Sequence, residues 1–228
     1  MKTKILFLGI FAVVSLTSYS DDKVMGKNLS TNAEEDIYPS PTVRNLNIHE
    51  YVDLGLSVVW ATCNMGADSP ADYGDYYAFG EIKTKSKYTS LNSRWYNVGV
   101  TEEKIKGTPK YDIVTAQWGG TWRLPTADEI DELVDKCTWE WATKENSKGK
   151  KVQGYEVTGP NSNSIFLPAA GYYYGASLYN DGSEGYYWSC SPDESNTNSA
   201  HCLYFFNSSF NGNSGLRYFG RSVRPVIE

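Results

Sequence analysis

One segment says where a helix must form and, by its isolation, limits what the rest of the chain can be. Leu124–Cys137, LPTADEIDELVDKC, carries a helix start signal and a helical period together. Thr126 is placed to accept from the free amides of the first turn, Glu129 three residues on reaches back, and Pro125 precedes the cap, the layout of a capping box. Ile130, Leu133, Val134 and Cys137 fall at i, i+3, i+4 and i+7, so one face is apolar and needs cover. A second, shorter helix is expected around Asp112–Gln117. Elsewhere the chain reads as short strands cut by Gly, Asn and Ser: EYVDLGLSVVWAT (Glu50–Thr62) as one strand, then SIFLPAAGY, YYWSCS, AHCLYFF and LRYFGRSVRPVIE after Lys151. Strands around one or two helices predict an α+β fold.

The N-terminus carries an address. Lys2 and Lys4 followed by apolar Ile5–Val14 have the layout of a secretory signal peptide. That run is too short to cross a bilayer core of ~30 Å, and no later stretch is longer, so no membrane span is expected. Residues 1–20 read as the signal peptide, 21–46 as a polar, flexible tether with Pro39 and Pro41, and 47–228 as one domain. LTSYSDD (Leu16–Asp22) holds Tyr19 where a bacterial lipoprotein has the cysteine that takes the lipid. Export to the periplasm or the exterior without a lipid anchor is therefore expected, with cleavage before Asp21.

Charge and cysteine content narrow the partners. The chain carries −6 at neutral pH, and −8 once Lys2 and Lys4 are removed. Nucleic acid is a poor partner for such a chain, because binding needs a basic stripe to replace counterions. No such stripe runs along the sequence, and Lys148, Lys150 and Lys151 read as a solvated turn. Cys63, Cys137, Cys190 and Cys202 are an even set in an exported chain, which points to disulfides, with three pairings open. Cys63–Cys137 and Cys190–Cys202 are favoured, the second because its partners flank one short loop.

The C-terminal quarter has the composition of a binding surface. Residues 171–228 hold eight Tyr, ten Ser, six Asn and seven Gly, with Trp188, four Phe and no lysine, although the chain has fifteen. Antibody loops share this bias, since Tyr gives contact area at low entropy cost while Ser, Gly and Asn adapt their hydrogen bonds; lysine is depleted at recognition surfaces. A twisted antiparallel sheet with tight turns favours the same residues. Position separates the two explanations, because several aromatics sit beside Gly or Asn in expected loops, as in Tyr179-Asn180-Asp181-Gly182 and Phe210-Asn211-Gly212-Asn213.

Catalytic patterns are absent from the sequence. His49 and His201, the two histidines, form no zinc motif, and GYYYG and GNSG lack the strand-to-helix context of a phosphate loop. Adjacent Asp193 and Glu194 do not make a glycosidase pair, and no EF-hand loop occurs. No metal, no cofactor and no enzymatic activity are expected.

Several phrases together resemble a known family. LGLSVVWATCNMGADSPADYGDYYAFGE (Leu54–Glu81), WGGTWRLPTADEIDELVDKCTW (Trp118–Trp139), VTGPNSNSIFLPAAGYYYG (Val157–Gly175), YYWSCSPDESNTNSA (Tyr186–Ala200) and GRSVRPV (Gly220–Val226) resemble, in this order, the FISUMP-type domain, the Fibrobacter succinogenes major paralogous domain. The resemblance covers about Tyr51–Glu228. It implies an extracytoplasmic module of gut-type Gram-negative bacteria with a C-type-lectin-like fold: paired terminal strands, two flanking helices and a long-loop region that displays a ligand surface. It also implies a variable protein diversified by a retroelement that mutates adenines in a C-terminal repeat.

Against the family's pattern, Gly171, Gly175, Gly182, Trp188, Ser189, Leu203, Phe205, Arg217, Gly220, Ser222, Val223, Arg224 and Pro225 look like framework. Tyr173, Tyr174, Tyr179, Asn180, Tyr186, Asp193, His201, Cys202, Tyr204, Phe206, Phe210, Asn211, Asn213, Tyr218, Phe219 and Arg221 look like display positions that bind ligand. The Glu-Pro-Asn and Trp-Asn-Asp motifs of calcium-dependent lectins are missing, so calcium-dependent sugar binding is not expected. The reading is a monomeric, exported protein that recognises a protein or glycan; a carbohydrate-binding module, or a structural or adhesin subunit of a surface assembly, is the alternative.

Overall fold

Among the described residues, α-helix is confined to three short runs: α1 (Glu102–Ile105), α2 (Ile113–Trp118) and α3 (Ala127–Lys136). Side chains close the first turns of the latter two. Thr126 Oγ1 accepts from the Glu129 amide at 3.2 Å, and the Glu129 carboxylate takes the Thr126 amide at 2.8 Å, the reciprocal box written in the sequence. Arg123 grips the same carboxylate with two N–H groups at 2.7 and 2.8 Å. Burial alone would raise the pKa of Glu129, but the bonds from Arg123 and the Thr126 amide hold it low. At α2, one oxygen of the buried Asp112 accepts from Val114 and Thr115, and the other from Gly107 and Leu124. Burial raises the pKa of this carboxyl against those four donors.

These helices sit among strands. In the computed structural model, which describes residues 44–46 and 49–228, β1 (Arg44–Leu46), β2 (His49–Val52) and β3 (Val59–Ala61) line up with the C-terminal β12 (Val226–Ile227) in the order β1-β2-β3-β12. A second sheet is the meander β4 (Thr138–Glu145), β5 (Lys151–Thr158) and β6 (Ser164–Pro168). The hairpin β7 (Tyr172–Tyr174) and β8 (Ser177–Tyr179) follows, and then β9 (Glu184–Pro192), β10 (Ser199–Phe206) and β11 (Ser209–Leu216), with β10 central. All strand pairings are antiparallel. The signal peptide, Tyr19 and most of the tether lie outside the described residues, and Arg44–Leu46, read as the end of the tether, is already paired to β2.

The expected α+β, C-type-lectin-like class is therefore corrected to a mostly β architecture, with four small antiparallel sheets among the described residues. Among the described residues, α3 is the longest helix at ten residues, and α1 and α2 are only four and six. Two strand expectations change as well. Glu50–Thr62 splits into β2 and β3 because Gly55 turns the chain at φ 74°, with the Asp53 carboxylate accepting the Gly55 amide at 2.7 Å. LRYFGRSVRPVIE is paired in strands only at its ends, Leu216 closing β11 and Val226–Ile227 forming β12; between them the buried Arg217, Arg221 and Arg224 turn inward, leaving isolated bridges such as Tyr77 with Arg221.

The two largest of the buried clusters among the described residues lie under the sheets. One gathers Phe79, Trp122, Leu124 and Trp188; the other gathers Trp60, Ile130, Leu133, Leu167 and Phe205 beneath α3. Buried arginines knit the loops to them. Arg224 donates to Asn64 Oδ1 and to the carbonyls of Ala61, Thr62 and Phe166, and Arg217 to those of Ser199, Trp95 and Val98. Carbonyls rather than carboxylates satisfy these cations.

The disulfide expectation is corrected: all four cysteines are free thiols. A bulge between Ala200 and Cys202 sets Cys202 opposite Trp188, not Cys190, and its sulfur accepts from Arg221 Nη1 at 2.7 Å. Cys63 takes the Thr62 hydroxyl, whereas Cys137 packs at the end of α3, where burial raises its pKa to about 11. Among the described residues, no helix is long and apolar enough to cross a membrane.

Candidate functional site

Register in the C-terminal sheet decides which aromatics meet solvent. Tyr204 lies opposite Tyr186 on one side and Asn211 on the other, and Phe206 lies opposite Glu184 and Ser209, so these side chains share a face. Leu203 and Phe205 point the other way with Tyr187, into the cluster covered by Ile130 and Leu133 of α3. The hairpin β7–β8 extends the open face. Tyr172 is paired with Tyr179, and alternation brings Tyr174 to the same side while Tyr173 turns inward.

The result is an unbroken run of nine rings. Phe206 meets Tyr204 at 5.8 Å between centroids, Tyr204 meets Tyr186 at 4.8 Å, and Tyr186 meets Tyr172 at 4.9 Å. Tyr172 then contacts Tyr179 at 5.7 Å and Phe219 at 5.1 Å; Phe219 reaches Tyr174 at 5.5 Å and Tyr218 at 4.9 Å, and Tyr218 reaches Tyr96 at 5.3 Å. Ring pairs at these separations attract beyond their area burial. Tyr174, Tyr179 and Phe206 are three of the five exposed large apolar side chains among the described residues.

Below the rings lies a buried cation. The Arg221 guanidinium is 4.3 Å from the Trp188 ring centroid, 5.1 Å from Tyr186 and 5.8 Å from Phe219. Such contacts contribute ~2 kcal/mol or more when desolvated. Gly215 makes room for it, since a Cβ there would come within 2.0 Å of Nη2. At the rim, Asn180 sits in the left-handed region at φ 58° and donates to the Glu184 carboxylate at 2.7 Å. Tyr186 donates its hydroxyl to the same carboxylate; burial first and then Glu184 push the phenol pKa up, so it stays a donor. Phenol hydroxyls, one carboxylate and the exposed amide of Asn211 thus border an apolar floor.

Residues 126–226 match the model of a family described as Domain of unknown function (DUF8237). Comparison with curated proteins and with solved structures gives no match. The matched span runs from the cap of α3 into β12 and holds eight of the nine rings; Tyr96 comes from outside it.

The sixteen expected display positions divide. Tyr174, Tyr179, Tyr186, Tyr204, Phe206, Tyr218 and Phe219 lie on the open face, with Asn180 and Asn211 beside them. Three point inward. Tyr173 packs on Tyr76 and Tyr88, Cys202 is 2% exposed, and Arg221 is 4% exposed beneath the rings. The remaining four lie elsewhere. Phe210 stacks on Trp139 at 4.6 Å, and Asn213 and His201 line a cleft of about 330 Å³ with Ala127, Ile130 and Asp131. Asp193 closes the loop between β9 and β10, where bonds from Ser195 and Ser214 draw its pKa down to about 2.

Two ring positions were missed. Tyr172 was within reach of strand alternation, since in a run of three tyrosines the outer two share a face. Tyr96 carries no local signal, because its place depends on a loop brought in from a distant segment. The other histidine, His49, is stacked on Trp118 at 3.7 Å, and burial lowers its pKa. Among the described residues, no group of three or more His, Cys, Asp or Glu is arranged to hold a metal ion.

Proposed function

We propose that this is an exported, non-catalytic ligand-binding protein that recognises a protein or a glycan with its open aromatic face. The unbroken run of nine rings carries the reading. A contiguous apolar patch rimmed by polar groups marks interaction sites on soluble proteins. Its rings are already held by one another and by Arg221, so little freedom is lost on binding. Flat phenol faces suit both the C–H faces of sugar rings and apolar side chains, while Glu184, Asn180 and Asn211 offer partners for hydroxyls or peptide groups. The resemblance to FISUMP-type domains and the lysine-free, Tyr/Ser/Asn-rich composition of residues 171–228 support the same reading, including diversification by a retroelement.

A printed glycan array and a panel of immobilised proteins, probed with wild type and with Tyr174→Ala/Tyr204→Ala, test it. Binding should fall by ~2 kcal/mol or more per anchor, and signals kept by the double variant would place recognition elsewhere. The same exposed face favours a second reading, a subunit that assembles through it. Sedimentation separates the two: the receptor-like reading gives a monomer, whereas self-association abolished by the double variant would favour assembly.

A further inference from the structure

Residues 83–110 hold seven of the chain's 21 Lys and Arg against two acids, in a protein whose net charge is −6. Spaced along the sequence, these cations form no stripe; the fold gathers them. Arg94 and Lys110 each place their charge 5.3 Å from the Tyr111 ring centroid, and Lys104 places its own at 5.8 Å. None of the three makes an ion pair among the described residues. Their nearness lowers the Tyr111 phenol pKa, led by a hydrogen bond with Lys110. The ring is fixed from below by Trp95, which is buried, lies 5.0 Å from it and donates to the Gly80 carbonyl.

Arg94 and Lys110 also line an open depression of about 610 Å³ with Ile82, Lys83 and Leu91. The one carboxylate on its lining, Glu81, is already taken by the Lys85 ammonium at 2.6 Å and the Arg94 amide at 2.9 Å. Of the two acids on α1, Glu102 turns to the Ser191 hydroxyl and Glu103 lines a different cleft. Leu91 is 98% exposed at the tip of a 3₁₀ turn, Ser90–Asn92. That turn is tied down: Asn92 accepts the Thr89 amide at 3.1 Å, donates to the Lys87 carbonyl at 2.8 Å, and its own carbonyl takes Lys85 Nζ. A leucine is thus held out into water by a pinned turn, at the edge of a patch of unneutralised cations.

We propose that this basic depression with Leu91 at its tip is a docking site for an anionic lipid surface, its cations on the headgroup phosphates and the leucine in the interface. Charge complementarity selects an anionic partner, and the leucine selects lipid among anions, since an acidic polysaccharide or a free anion leaves it in water. Each Lys or Arg near such a surface strengthens partitioning roughly fivefold. Four exposed cations give reversible, salt-sensitive attachment, a peripheral association rather than an anchor.

Co-sedimentation of the full chain with vesicles of phosphatidylcholine, with and without phosphatidylglycerol, tests the proposal. Binding should require phosphatidylglycerol and fall steeply with salt. Arg94→Gln/Lys110→Gln should weaken it roughly 25-fold, and Leu91→Ser several-fold at constant charge, both with unchanged thermal midpoints. Lys83→Gln, at an exposed position on the same lining, serves as a second charge variant and should weaken binding roughly fivefold. Equal binding to both vesicle types, or full binding by the double variant, would overturn the site. Saturable binding of inorganic phosphate or of a sulfated polysaccharide, with vesicle binding indifferent to Leu91→Ser, would overturn the lipid assignment in favour of a small-anion or glycan site.

Discussion

Strand β10 sends Tyr204 and Phe206 to one side of its sheet and Leu203 and Phe205 to the other, and the two sides meet opposite fates. Behind the sheet, Phe205 is fully buried, edge-on to Tyr155 and near Trp139 and Trp141, with Phe210 stacked on Trp139. Gly185 lies against the Phe205 ring so closely that a Cβ would fall 2.0 Å from it. In front, rings of the same types touch one another at similar distances and end at solvent. The side chains are alike; the cover differs. α3 presents one apolar face, Ile130 and Leu133, and that face is used behind the sheet. Aromatic richness therefore signals a surface only where no element remains to cover it.

Substitutions on the two sides should break this comparison if it is wrong. The largest effect is expected for Phe205→Ala, about 3–5 kcal/mol of lost stability, read from the denaturant midpoint. Phe206→Ala, one residue on, should stay within about 0.5 kcal/mol. Tyr173→Ala should cost about 2 kcal/mol through its packing on Tyr76 and Tyr88, whereas Tyr174→Ala should be close to neutral; a reversed order would put β7 in the other register. Arg221→Met should cost about 2 kcal/mol and loosen the rings above it, visible as increased nitration of Tyr186.

The smallest effect concerns acid. With its pKa drawn down to about 2, Asp193 contributes stability that is fully present above the ordinary carboxylate pKa of ~3.9 and is lost as pH falls toward 2. Asp193→Asn should flatten the acid limb between those values, and an unchanged limb would mean that the loop bonds to Ser195 and Ser214 do not persist in solution.

What the sequence made legible was local. Thr126 and Glu129 announced α3, Asp112 marked the start of the shorter α2, and Gly and Asn punctuation marked the C-terminal strands. What depended on distant cover was hidden. No local pattern says that the inward arginines interrupt the last strand, or that a bulge turns Cys202 away from Cys190. The display set suffered the same way: composition located the region, but the side of each strand came only from register, which placed His201 and Phe210 behind the sheet and Tyr172 in front. The basic depression was equally invisible, because its cations are spread over positions 83 to 110 and converge only around Tyr111.

The central claim is that the uncovered side of this sheet binds ligand while the covered side supports the fold. It is tested most directly by probing one printed glycan and protein array with wild type, Tyr174→Ala/Tyr204→Ala, and His201→Ala in the cleft behind the sheet. Wild-type signals should vanish in the double variant, whose thermal midpoint stays unchanged, and persist in His201→Ala. Signals kept by the double variant and lost in His201→Ala would contradict the account and move recognition to the cleft beside α3.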